Sequence, residues 1–462
     1  MKKSAKHNQE LILHGNLRKA VLALAIPVMI NSFLQTMYNL TDTYWLGKLG
    51  TEQLAAINLV TPVQNIIINF GSGITVAGSV LIAQFVGAGE KEKAKSMANQ
   101  IYVCACAFAL VCAGVCFLCT PAIVNWLGAD SDTYSHAVIY LGLVIWDMPF
   151  LFTVNIFSAI HQSQGDTVTP MFLNLGGILI NMVLDPLMIV TWDMGTAGAA
   201  LATLLAKMIP AFVAIAMLCR KNSEISLDPH YMRPEWENVQ MILKIGLPSA
   251  IGGSTMQFGF LLMSRNVYEF GTQAMAAYGI GNKVNGLITL PSNGIGSAVA
   301  TIVGQNMGAQ QRDRAEKGYH AAMKISVAFL FVGGMILSRD FISTAVVSIF
   351  SDDPAVIAMA ADFLSIMAFW CFTNGVYNCS VGLFNGTGHT EVTMAVDASR
   401  LWIFRFLTLW FCETVLKMGV RSVWYSVVVS NGICAVILFL LYLSGIWKKQ
   451  KIKVKQGIEK KV

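Results

Sequence analysis

Charge is what this sequence has least of. Only 13% of its 462 residues are Asp, Glu, Lys or Arg, where a soluble protein carries about 25%. Length alone would allow two or three soluble domains. The missing charge and the long apolar runs exclude them. Histidine is sparse too, and His161, His320 and His389 stand apart without metal-ligand spacing. That argues against a membrane-embedded enzyme. The ten cysteines fall in or at the ends of apolar runs, without zinc-like pairs. They read as small apolar side chains, not as disulfides or ligands. No cleavable signal peptide is expected, because the first apolar run is longer than the roughly 7–15 residues of a signal core.

What the chain does have is apolar runs of membrane-crossing length, about 20 residues each. Twelve spans are predicted, near 22–46, 57–83, 97–120, 137–160, 168–192, 196–219, 242–265, 278–305, 319–341, 360–384, 392–416 and 422–446. Lipid offers the backbone no hydrogen-bond partner, so each must be helical. Lys and Arg alternate in density along the connections. Lys2, Lys3, Lys6, Arg18 and Lys19 precede the first span, Lys91, Lys93 and Lys95 follow the second, and seven lysines fill the tail from Lys448 to Lys461. The positive-inside bias then puts both termini in the cytoplasm. The same bias accounts for the net charge of +6, so no nucleic-acid partner is implied.

One stretch is written twice. At a constant offset of 221, Pro27 falls on Pro248, Gly50-Thr51 on Gly271-Thr272, and Gln84 with Gly87-Ala88 on Gln305 with Gly308-Ala309. At an offset of 223, Asn155, Gly165 and Thr167 fall on Asn378, Gly388 and Thr390. The chain is therefore a duplicate. The expected partition is a cytoplasmic segment 1–21, a first lobe 22–219, a linker 220–241, a second lobe 242–446 and a basic tail 447–462. The expected fold is an all-α polytopic membrane protein, two pseudo-symmetric six-helix lobes around a central cavity.

The copies differ where it matters most. The first half holds Asp42, Asp147 and Asp185 inside its spans; the corresponding residues of the second are Met263, Trp370 and Thr408. A charge near the bilayer centre costs about 2.5–3.5 kcal/mol on insertion scales, so each acid needs a reason. Asp42, Asp185 and Thr203 come out at similar depth in the outer half of the first lobe, with Asn181 one turn from Asp185. Carboxylate, amide and hydroxyl oxygens together suit a hard monovalent cation or a shared proton. A purely structural polar cluster that glues helices together is the alternative. Gln35, Tyr38 and Asp42 form one polar stripe, which should face a cavity or other helices. Asp147 and Lys207 lie at one depth, so Lys207 is expected to pair with Asp147 or to reach Asp185. Arg405, the main internal charge of the second half, reads as a structurally paired residue ahead of a substrate contact.

These residues resemble the multidrug and toxic compound extrusion (MATE) family over nearly the whole chain. The resemblance is carried by Ile26-Pro27, Asp42-Thr43, Gln84 with Gly87-Ala88, Gly165-Asp166-Thr167, Asn181-Met182-Val183-Leu184-Asp185-Pro186, Gly198-Ala199-Ala200 and Arg400-Leu401-Trp402 with Arg405. The acids are similar in placement to the DinF-type and MepA-like branch. That implies a coupling site of Asp42, Asn181, Asp185 and Thr203 with the Ala199 carbonyl, serving H+ or Na+ and no other cofactor. It implies a drug cavity lined by Gln35, Tyr38 and Asn155, to which Asp147 and Lys207 are added here. The branch with an acid in the tenth span has it where this chain has Asn374. Asp147 and Lys207 depart from the family pattern, as does the stretch His161-Gln162-Ser163-Gln164 before Gly165.

The resemblance implies a secondary antiporter in a bacterial plasma membrane, not an enzyme. It would act as a monomer and exchange an inward cation for amphipathic, often cationic drugs or toxic metabolites. A flippase or exporter of a lipid-linked or endogenous precursor is the nearest alternative, though its phosphate groups would call for a cationic cavity. A channel fits less well, since duplicated halves and buried acids suit alternating access.

Overall fold

The apolar runs fold as helices in this computed structural model, which describes residues 2–220, 225–449 and 451–452. Residues 221–224 of the expected linker and 453–462 of the expected basic tail lie outside that set. The expected N-terminal segment contains a helix, α1 (Lys2–Leu13). The first three spans are unbroken helices: α2 (Leu17–Leu46), α3 (Thr51–Gly87) and α4 (Lys91–Trp126). The fourth is α5 (Ser131–Val144) and α6 (Met148–Ser163), joined by a tight turn at Ile145–Asp147. The fifth and sixth are α7 (Val168–Asp185), extended by a wide π turn at Pro186–Thr191, and α8 (Gly195–Leu218).

The second half repeats this order. Its first members are α9 (Trp236–Tyr268), α10 (Thr272–Gly308), α11 (Arg312–Leu337) and a short α12 (Asp340–Val347). Then come α13 (Pro354–Phe369), α14 (Phe372–Gly386), α15 (Thr390–Ser399), a π turn at Arg400–Arg405, α16 (Phe406–Thr414) and α17 (Arg421–Leu443). Among the described residues nine helices are long and apolar enough to cross a membrane, and α13 with α14, bent by 54°, makes a tenth. α9 and the run from Thr390 to Thr414 occupy the two remaining predicted spans. Large apolar side chains such as Ile66, Val111, Leu118, Phe172 and Phe212 stay exposed, as lipid-facing positions do.

The helix breaks have local causes. Asp147 ends the turn before Met148-Pro149, and a proline in the first turn of α6 cannot continue the ladder from α5. Pro186 follows Asp185 and has no N–H to donate backwards, so the helix widens there into the π turn. The fourth span's partner, α13–α14, breaks at Trp370-Cys371, and 370 minus 147 is again 223. Gly165 and Gly388 both adopt left-handed backbone, φ +88° and +85°, as the duplication requires.

The chain divides into two compact units, but the cuts fall inside helices. The first unit takes Ile30–Ala250 and the residues up to Gln9; the second takes Glu10–Met29 and the chain from Ile251. Two glycines explain this. In the first unit a Cβ on Gly73 would sit 2.2 Å from the Gly246 carbonyl oxygen and 2.8 Å from Ala250 Cβ. In the second, a Cβ on Gly294 would sit 2.6 Å from Met29 Cγ and 3.2 Å from the Ala25 carbonyl oxygen. The offset of 221 relates all three pairs: 294 and 73, 246 and 25, 250 and 29. Each copy therefore cradles the leading half of the other copy's first helix. The expected lobes 22–219 and 242–446 follow chain continuity and keep each leading helix whole; packing divides both.

Gly73→Val puts a side chain into a backbone oxygen that cannot step aside. A destabilisation of at least about 1–3 kcal/mol is expected. The detergent-solubilised variant should unfold at a lower temperature than wild type. Gly114→Val, with nothing within 4 Å of its Cβ, should not.

A polar cavity and a carboxylate pair in the first unit

Four elements of the first unit carry the site. On α2, Asn31, Gln35, Tyr38 and Asp42 recur at spacings of four, three and four, so they share one face. On α7, Asn174, Asn181 and Asp185 recur at seven and four. Asn155 comes from α6, and Thr203 and Lys207 from adjacent turns of α8.

These faces enclose a cavity of about 370 Å³ lined by Asn31, Gln35, Tyr38, Asn155, Asn174 and Lys207, with Ile68, Leu151 and Ile178 among its apolar walls. The size and the mixed lining suit a small organic molecule. Asn174 Nδ2 donates to Asn31 Oδ1 at 3.0 Å, tying α7 to α2 across one end.

At the end of the same stripe the carboxyls of Asp42 and Asp185 meet within hydrogen-bonding range. Asn181 Nδ2 donates to Asp185 Oδ1 at 3.0 Å. The second oxygen of Asp185 and the amide oxygen of Asn181 are buried with no partner. Orphaned acceptors of this kind are rare in native interiors. One belongs to the carboxylate pair itself and the other to Asn181, which is bonded to it, and carboxylate and amide oxygens together fit a proton or a bare monovalent cation. Tyr38 lines the cavity one helical turn before Asp42. Thr203 is half-buried. Ala199 packs its methyl group into an apolar cluster with Val60, Tyr140 and Leu141.

Of the two partners considered for Lys207, the structure selects Asp147, with the ammonium donating to Asp147 Oδ2. Asp147 is 0% exposed and reaches the cavity only through Lys207, which lines it. The break at Ile145–Asp147 tucks the carboxylate inside, which distance along a straight helix could not reveal. Three polar lining residues were missed by sequence: Asn31, Asn39 and Asn174. Asn31 and Asn174 were accessible, since Asn31 extends a recognised polar stripe by one turn and Asn174 extends another by two.

The second unit has no acid in the corresponding places. Met263 is fully buried in an apolar cluster with Phe363 and Trp424. Thr408 donates to the Phe404 carbonyl oxygen. Arg405 donates from Nε to Ser430 and from Nη2 to Asn431, both at 3.1 Å.

Known proteins resemble the chain in sequence and, where solved, in fold. The chain is 24% identical over 447 residues to the probable multidrug resistance protein NorM of Thermotoga maritima, covering 96% of each. It is 24% identical to the multidrug export protein MepA of Staphylococcus saprophyticus, covering 92% of this chain and 93% of that one. Among solved structures, a MATE protein in complex with MaL6 superposes with a TM-score of 0.89 over 95% of this chain and 99% of the other, at 24% identity. An outward-facing MATE family transporter of the MOP superfamily gives 0.87 over 95% and 98%, also at 24%. The MatE family model matches residues 27–187 and 248–411, one segment in each half of the duplication. With both repeats matched, the chain belongs to the MatE family.

Proposed function

We propose that this protein is a secondary active multidrug efflux antiporter. It exports amphipathic, often cationic organic compounds and takes up H+ or Na+ at Asp42 and Asp185. The observation that carries the reading is the carboxylate pair with its two orphaned acceptors, at the end of a polar stripe that also lines the cavity. An ion can drive a change of state only by binding one state better than the other. Because Gln35, Tyr38 and Asp42 ride on one helix face, filling the pair acts on the wall that contacts substrate. Asn181 supports the pair, with Thr203 and the Ala199 carbonyl completing the cation site. Gln35, Tyr38 and Asn155 contact substrate. Lys207 and Asp147 neutralise each other, so the cavity offers no free cation for a phosphate, and the precursor flippase loses its main requirement.

The transporter is a monomer in the bacterial plasma membrane with both termini cytoplasmic, a topology supported by Arg18, Lys19, Lys91, Lys93 and Lys95 at one set of helix ends. Purified protein in liposomes, loaded with a fluorescent lipophilic cation, tests the transport reading. Imposing pH and Na+ gradients separately should give export driven by at least one. Export driven by neither would sink it.

A further inference from the structure

The duplication identifies, in the second unit, the residues that correspond to the cavity wall of the first. Offset 221 carries Asn31 to Gly252 and Gln35 to Met256; offset 223 carries Asn174 to Asp397 and Gly177 to Arg400. One of these pairs meets in both units; the other shares a cavity wall in the first unit and a contact in the second. Asn31 bonds Asn174 in the first. In the second, a Cβ on Gly252 would lie 3.7 Å from Asp397 Oδ2. Gln35 and Gly177 face one cavity, and Arg400 donates to Met256 Sδ.

What fills the second place is the Arg400 side chain, rooted where the first unit has a glycine. Its guanidinium carbon stands 4.5 Å over the Tyr377 ring, and its Nη2 is 4.0 Å from Asp397 Oδ1. Tyr377 donates its hydroxyl to the same carboxylate. A carboxylate, an aromatic face and a thioether around one cation make the kind of cage that recognises organic cations. The occupant is imperfectly held. Arg400 is 7% exposed, yet its Nε–H is buried without a partner. Met256 sulfur is a weak acceptor. Arg400 also opens the π turn Arg400–Arg405, a departure from regular helix that often marks functional positions.

We infer that the second unit contains an organic-cation site formed by Tyr377, Asp397 and Met256, and that Arg400 occupies it as an internal ligand. This goes beyond the transport reading, because it concerns binding and not coupling. In consequence Arg400 fills, in the second unit, the place that stands open as a cavity in the first. An added guanidinium-type cation takes the site once the arginine is removed.

The test is thermal unfolding and equilibrium binding of purified full-length protein with methylguanidinium as probe. Arg400→Gly, which copies Gly177, and Arg400→Ala are compared with wild type. A five-atom cation in such a cage should bind with a Kd on the order of 1 mM. At tenfold excess the unfolding temperature of either variant should rise by about 2 °C or more, and wild type should not move. Asp397→Asn combined with Arg400→Gly should abolish the shift. A variant recovered folded only when methylguanidinium is present also supports the inference. It is overturned if folded variants show no shift, if the shift survives Asp397→Asn, or if neither variant folds with or without the probe.

Discussion

Asp185→Asn is expected to stop ion-driven export while leaving the protein folded and able to bind substrate. The amide keeps the carboxyl's shape and can still accept from Asn181 Nδ2, now 3.0 Å from Asp185 Oδ1. What it loses is the negative charge and the titration. Asp42 then faces a neutral neighbour and no longer shares a cation with a second carboxylate. Each tenfold loss in rate or occupancy corresponds to about 1.4 kcal/mol, and a lost charged contact to a cation is worth at least that. The gradient-driven rate should therefore fall at least about tenfold, with substrate affinity in the absence of a gradient within a few-fold of wild type. Asp42→Asn should behave alike. The proof lies in the pairing of the two measurements, because a merely structural polar cluster would lose stability and binding together. Full gradient-driven export by both variants would remove the coupling assignment.

The duplication, the twelve spans and the meeting of Asp42 with Asp185 were all legible in the sequence. Spacing along helices and counting from helix ends suffice for groups on straight segments. Three things were not legible, each for a physical reason. The buried position of Asp147 depends on a tight turn at Ile145–Asp147, and a single Pro149 does not announce how a helix will break. The division of α2 and α9 between the units depends on glycine notches at Gly73 and Gly294. Both glycines stand in the sequence, but nothing in it sets them apart from other small residues of membrane helices. The Arg400 plug requires a side chain to cross from the Gly177-equivalent position to Met256, Tyr377 and Asp397, and no one-dimensional offset shows reach. Arg405 was expected to be structurally paired; it donates to the neutral Ser430 and Asn431, and its Nη1 is buried with no hydrogen-bond partner.

Lys207→Met should be among the most destabilising single changes in the first unit. Asp147 is 0% exposed, while the Lys207 side chain keeps 26% exposure at the cavity. Removing the lysine strands a carboxylate that has no water and whose other oxygen already lacks a partner. Breaking a buried pair in this way costs about 3–5 kcal/mol. Asp147→Asn is the milder change, because the freed ammonium lines the cavity and can be hydrated there. Unfolding temperatures should thus fall in the order wild type, Asp147→Asn, Lys207→Met. The double variant should recover most of what Lys207→Met loses, since a neutral amide no longer needs a cation. Equal losses in the two single variants, or no recovery in the double, would mean that the pair does not hold this corner of the fold. If the double variant is stable and still exports, the pair is scaffolding that keeps Asp42 and Asp185 as the only unneutralised acids facing each other. If it is stable and silent, the pair takes part in the transport cycle and not only in the fold.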